Sequence, residues 1–146
     1  MVEDDGASAR LAAMVLRVVH AEVTHAATAT EATRLVAGGL RPAIVLLDLD
    51  LPDLSGLHLV KVLRALDDTR EVPIVAVTAS GADFGERAAR LAGCDGYVSK
   101  PIDVATFAAT VAGFLRPTWT RPIAAVPAPA APLGVGHQAV LAALPK

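Results

Sequence analysis

The 146-residue chain has one cysteine, Cys94, which excludes an intramolecular disulfide framework and suits a reducing compartment. Aromatic residues make up only 3% of a chain that is 53% hydrophobic, so its core must be built from Ala, Val and Leu. Such a core fits helices packed on a parallel sheet better than an aromatic-rich β-sandwich. No run of Lys and Arg forms a basic patch, and a net charge of −2 gives no basis for nucleic-acid binding. No apolar run approaches the roughly 18 residues needed to cross a bilayer, because Asp or Pro interrupts each one. The N-terminal residues Met1-Val2-Glu3-Asp4-Asp5 are acidic where a signal peptide is basic. These absences lead to the expectation of a cytoplasmic protein with neither membrane nor nucleic acid as a partner.

What is present alternates between strand and helix signals. Ala7–His20 carries Leu11, Met14, Val15 and Val18 at helical spacing on one face. Glu22–Ala27 is a short, half-polar strand candidate. Thr28 and Glu31 have capping-box spacing, opening a helix that Gly38-Gly39 closes. Ala43–Leu47 is an unbroken apolar run between Pro42 and Pro52, which reads as a strand buried on both faces. Ser55 is a candidate cap for a helix with Leu59, Val60, Leu63 and Leu66 turned inward. Pro73 precedes a second buried strand, Ile74–Val77, ending at Thr78. A weaker helix, Phe84–Ala92, contains Gly85 and stops at Gly93. Tyr97–Ser99 is a short strand leading into Lys100-Pro101. Asp103 caps a last helix with Phe107, Val111 and Phe114 on one side.

This alternation predicts a doubly wound α/β domain over residues 1–115. From Arg116 onward, Pro117, Pro122, Pro127, Pro129 and Pro132 punctuate an Ala-rich stretch. Residues 116–146 are therefore expected to form a flexible Pro/Ala-rich tail, with one apolar patch at Val140–Leu144.

In a parallel sheet the carboxyl ends of the strands share one edge, where such folds keep their sites. Glu3-Asp4, Asp48, Thr78 and Lys100 fall at those ends, whereas Glu22–Ala27 contributes nothing and reads as an edge strand. Clustered carboxylates need a cation to remain ionised together. Mg²⁺, held by one or two carboxylates and water, suits phosphoryl transfer. In that chemistry Asp48 is the candidate nucleophile, because carboxylates form aspartyl phosphates. Asp4 would hold the metal and Glu3 would assist through water. Lys100 would set a positive charge, and Thr78 a hydroxyl, beside the transferred oxygens. Cys94 reads as a small buried apolar group, and the histidines show no metal-ligand spacing.

Val2-Glu3-Asp4-Asp5, Asp48-Leu49-Asp50-Leu51-Pro52, Ser55-Gly56-Leu57, Thr78-Ala79 and Tyr97-Val98-Ser99-Lys100-Pro101 together resemble the response-regulator receiver family. The runs Ser55–Lys61, Val75–Ala79 and Gly93–Ile102 are most similar to the single-domain regulators of bacterial cell-cycle phosphorelays. The resemblance spans about residues 1–115. It implies a flavodoxin-like (CheY-like) fold with a five-stranded parallel sheet in the order 2-1-3-4-5. It also implies phosphotransfer from a histidine kinase or histidine phosphotransfer protein, slow self-dephosphorylation, and output through a downstream protein target. Thr78 and Tyr97 would move together as a switch, and the backbone carbonyl of Asp50 would be a third metal ligand. On this reading the chain is a signalling module and not an enzyme.

Only Met1 and Val2 precede Glu3, where the family has a longer apolar run, so the first strand is expected to be truncated. The natural chain is then expected to begin upstream of Met1, or this form to be marginally stable. Three alternatives remain open from the residues. The chain could be a degenerate receiver acting as a constitutive binding module, or a fragment of a larger sensor or hybrid kinase. Asp48-Leu49-Asp50 also resembles the acid/base pair of haloacid-dehalogenase-type phosphatases, although Pro52 and the short chain depart from that family.

Overall fold

In a computed structural model, residues 1–79 and 81–115 are described. The expected tail, with Val140–Leu144, lies outside the described residues. The helices are α1 (Gly6–Val18), α2 (Ala29–Ala37), α3 (Gly56–Ala65), α4 (Ala82–Ala92) and α5 (Val104–Phe114). Strands β1 (Val45–Leu47), β2 (Ile74–Thr78) and β3 (Gly96–Ser99) follow α2, α3 and α4 respectively.

The strands pair in parallel in the order β1-β2-β3, with Leu46 opposite Val75 and Ala76 opposite Tyr97. β1 and β2 are buried along their whole length, as their unbroken apolar runs require when helices cover both faces. Val2 extends the order. It makes parallel bridges to Leu47 on one side and Ala26 on the other. Its N–H donates to the Leu46 carbonyl at 2.6 Å, and its carbonyl accepts from the Asp48 N–H at 2.7 Å. With these bridges counted as reduced strands, the expected order 2-1-3-4-5 is recovered. The first strand is truncated to this single bridging residue, and Glu22–Ala27 is no strand beyond Ala26. Both departures share a cause, because residues 22–25 have too little first strand beside them to pair with.

Capping follows local chemistry. The Thr28 hydroxyl accepts from the Glu31 N–H, and Glu31 reaches back to accept from the Ala27 N–H. Asp5 accepts from Ser8 and Asp103 from Thr106 at the starts of α1 and α5. Gly93, at φ 115°, closes α4 in the left-handed region open to glycine. Gly85 does not interrupt α4. Ser55 precedes α3 without a capping bond from its side chain, contrary to expectation.

A second correction concerns α1. Of the four large residues assigned to one face, only Val15 is buried, and it packs inward with Ala9, Ala12 and Leu16. Leu11, Met14 and Val18 face outward, the last two about 70% exposed (67% and 71%). Burial follows the small side chains of Ala9 and Ala12, which share the inward face with Val15 and Leu16. Ile44, Leu46, Leu47, Leu59, Leu63, Ile74 and Phe107 form the fully buried centre of the core. Each contributes about 1.5–3 kcal/mol by leaving water.

Candidate phosphoryl-acceptor site

The site forms where β1, β2 and β3 end on one edge, joined by the residues after Val2. Asp48 follows β1 and is 6% exposed. Its Oδ1 accepts from the Asp50 N–H at 3.0 Å, and its Oδ2 lies 2.6 Å from Lys100 Nζ. Lys100 follows β3 and is held in position by its own N–H, which donates to the Thr78 carbonyl at 2.9 Å. The same Nζ forms an ion pair with Glu3 Oε2. Thr78 is fully buried at the end of β2, and its hydroxyl donates to Asp50 Oδ2 at 3.1 Å.

Glu3 has a more intimate position than the sequence suggested. It is 1% exposed, paired with Lys100, and accepts the Asp5 N–H on Oε1 at 3.0 Å. Asp4 is exposed at the mouth of the cleft. Carboxylate oxygens of Glu3, Asp4 and Asp48 lie within 4.8 Å of one another. Three hard oxygen donors this close fit a small divalent cation such as Mg²⁺.

Burial dominates the Glu3 carboxyl and raises its pKa, reinforced by the Asp48 charge and opposed by Lys100 and the Asp5 N–H. Burial alone would lower the Lys100 pKa. Its hydrogen bonds to Asp48 and Glu3, with their negative charges, outweigh that and hold it above the ordinary lysine value. Lys100 is thus a fixed cation between two buried carboxylates. Tyr97 is half-buried on β3, and its pKa is raised by burial and by the charges of Glu86 and Asp50. Cys94 is buried and its thiol is pushed up to about 12, in keeping with a packing role.

Two supporting groups escaped sequence reasoning. Asp53, in the loop after β1, accepts from the N–H groups of Ala29 and Thr30 and from the Thr30 hydroxyl. It caps α2 from a distant part of the chain and ties the Asp48 loop to that helix. Gly56, the first residue of α3, is packed so closely that a Cβ there would lie 2.4 Å from the Asp48 carbonyl oxygen. Asp53 carried no local signal, since its partners lie across the fold. Gly56 was visible only as part of the Ser55-Gly56-Leu57 turn.

A parallel sheet with carboxylates, a lysine and a hydroxyl gathered at its carboxyl edge places the chain among the doubly wound α/β domains that keep their sites there. The chain belongs to the response regulator receiver domain family, whose profile matches residues 1–112. It is similar to the polar-differentiation response regulator DivK of Brucella anthropi, with 41% identity over 75 residues, 51% of this chain and 61% of that protein. DivK of Brucella ovis is 39% identical over 74 residues, 51% of this chain and 60% of that protein. The chain thus spans about three-fifths of the length of these curated relatives. Among solved structures it resembles the receiver domain of a Pseudomonas aeruginosa sensor histidine kinase, which has a magnesium ion coordinated in its active-site cleft. That match has a TM-score of 0.67 and 30% identity, over 75% of this chain and 88% of the other. The chemotaxis response regulator CheY4 of Vibrio cholerae shares the fold, with a TM-score of 0.71 at 23% identity over 77% of this chain and 93% of the other.

Among the described residues, no helix is long and apolar enough to cross a membrane.

Proposed function

We propose that the chain is a phosphoacceptor receiver in a two-component phosphorelay, taking a phosphoryl group on Asp48 and switching its contacts with a downstream protein. The observation that carries this reading is the shared lysine. Lys100 reaches Asp48 at 2.6 Å while also pairing with Glu3, so the nucleophile is buried and oriented beside a fixed cation. The donor is a phosphohistidine on a histidine kinase or histidine phosphotransfer protein. An Asp48 carboxylate oxygen forms the new O–P bond as the P–N bond to the donor imidazole breaks, and the imidazole keeps that electron pair. Lys100 compensates the charge on the phosphoryl oxygens, and the Thr78 hydroxyl donates to one of them. Glu3, Asp4, Asp48 and the Asp50 carbonyl are the groups that would hold Mg²⁺. When bound, the ion neutralises charge on the transferred group.

Phosphorylation then draws Thr78 toward the phosphoryl group, and Tyr97 follows. The output surface on this reading is the face made by α4, β3 and α5. The receiver unit is residues 1–115, a cytoplasmic signalling module with no catalytic role toward other substrates. The test is incubation with a small phosphodonor and Mg²⁺, read by intact-mass spectrometry. Wild type gains one acid-labile phosphate and Asp48→Asn gains none. Phosphate on the Asp48→Asn protein would identify another acceptor. A wild type that gains none would identify a constitutive binding module.

A further inference from the structure

We propose that the Asp50 side chain is a latch that holds the Thr78 hydroxyl away from the acceptor until the phosphoryl group displaces it. The inference rests on the receiver reading above and assigns a positioning role to a side chain that reading uses only through its backbone. Asp50 stands two residues after the acceptor, with its N–H donating to Asp48 Oδ1 at 3.0 Å. That bond fixes the backbone so that the exposed Asp50 carboxylate turns to the end of β2, where Oδ2 accepts the Thr78 hydroxyl proton at 3.1 Å. Thr78 is fully buried, so its hydroxyl is available only within this cleft.

A threonine hydroxyl has one proton to donate. The phosphoryl oxygens on Asp48 and the carboxylate of Asp50 therefore compete for it. The incoming group carries about −1.5 to −2 charge and repels Asp50 as it arrives. Asp50 thus acts on the active state in two separable ways, as a hydrogen-bond acceptor that retains Thr78 and as a like charge.

The experiment separates them with a phosphoryl mimic, beryllium trifluoride with Mg²⁺, titrated against the full chain. Asp50→Asn removes the charge but keeps an oxygen able to accept from Thr78. Asp50→Ala removes both. The expected result is that Asp50→Ala binds the mimic about 3–10-fold more tightly than Asp50→Asn, the range for one hydrogen bond. In a Thr78→Val background the two variants should bind equally, because no hydroxyl remains to be held. A ratio that persists unchanged in that background, or no ratio in either, overturns the latch while leaving the receiver reading intact. A wild type that binds no mimic overturns both. Thr78→Val nearly conserves volume, and unaltered circular dichroism of each variant separates lost binding from lost fold.

Discussion

Alanine in place of Gly56 adds one methyl carbon where the backbone leaves no room. The new Cβ would lie 2.4 Å from the Asp48 carbonyl oxygen and 2.6 Å from the Leu49 Cα, against an ordinary contact distance of 3.4–4 Å. Both neighbours are main-chain atoms, so no side-chain rotation relieves the overlap. Either the start of α3 or the loop from Asp48 must shift by about 1 Å, and overpacking of this kind costs about 1–3 kcal/mol. Alanine's better helix propensity returns about 1 kcal/mol at most. The net loss is up to about 2 kcal/mol, which lowers Tm by as much as about 8 °C in a domain of this size. Gly113 in α5 supplies the control, since a Cβ there meets nothing within 4 Å. Gly113→Ala should raise Tm by about 2–4 °C through propensity alone. Thermal unfolding by circular dichroism measures both. A Gly56→Ala protein stabilised as much as Gly113→Ala would refute the packing argument. Because the displaced loop carries the acceptor, Gly56→Ala should also slow phosphorylation of Asp48.

Arg64 donates to the carbonyls of Thr69, Arg70, Val72 and Gly93 and pairs with Asp95, with the two side chains 12% and 6% exposed. Arg64→Met should cost about 3–5 kcal/mol in urea unfolding, since it leaves the buried Asp95 carboxylate without its cationic partner and removes the donor to four carbonyls; a loss under about 1 kcal/mol would contradict this. The Met1 ammonium is buried against the Thr24 carbonyl, and burial lowers its pKa well below the ordinary value. The unfolded chain therefore binds the extra proton, so stability should fall as pH drops below about 8 toward the folded value and level off above about 8. Adding four or five apolar β-branched residues before Val2 should remove that slope and raise Tm, whereas equal melting temperatures for the two proteins would show that the short strand suffices. Burial tends to raise the Asp53 pKa, but the Thr30 hydroxyl and the N–H groups of Thr30 and Ala29 outweigh it and lower it. Its contribution is present above the unfolded value of about 3.9 and lost as pH falls through the folded one, so Asp53→Asn should flatten the acid limb of the stability curve.

Elements whose signals are local were legible in the order of the residues. Hydrogen bonds within one turn of chain made the caps at Thr28 and Asp103 legible, and Gly93 marked the end of α4 because a left-handed residue favours glycine. The apolar runs before Asp48 and Thr78 had no polar alternation, which only a strand covered on both faces tolerates. Because parallel strands end on one edge, the residues after those runs could be gathered into one site before any coordinates. Folding settled which face of α1 is buried, since Ala9 and Ala12 carry a weaker hydrophobic signal than the outward Leu11, Met14 and Val18. It also decided that Glu3 lies inside the site and shares with Asp48 the amine of Lys100, which is 52 residues beyond Asp48. The reach of Asp53 to α2 and of Arg64 to Asp95 was likewise hidden, because charge partners far apart in sequence leave no periodicity to read. Periodicity and capping act over a few residues, and sequence exposes them; ion pairs and close backbone approaches depend on distances that exist only once the chain has folded.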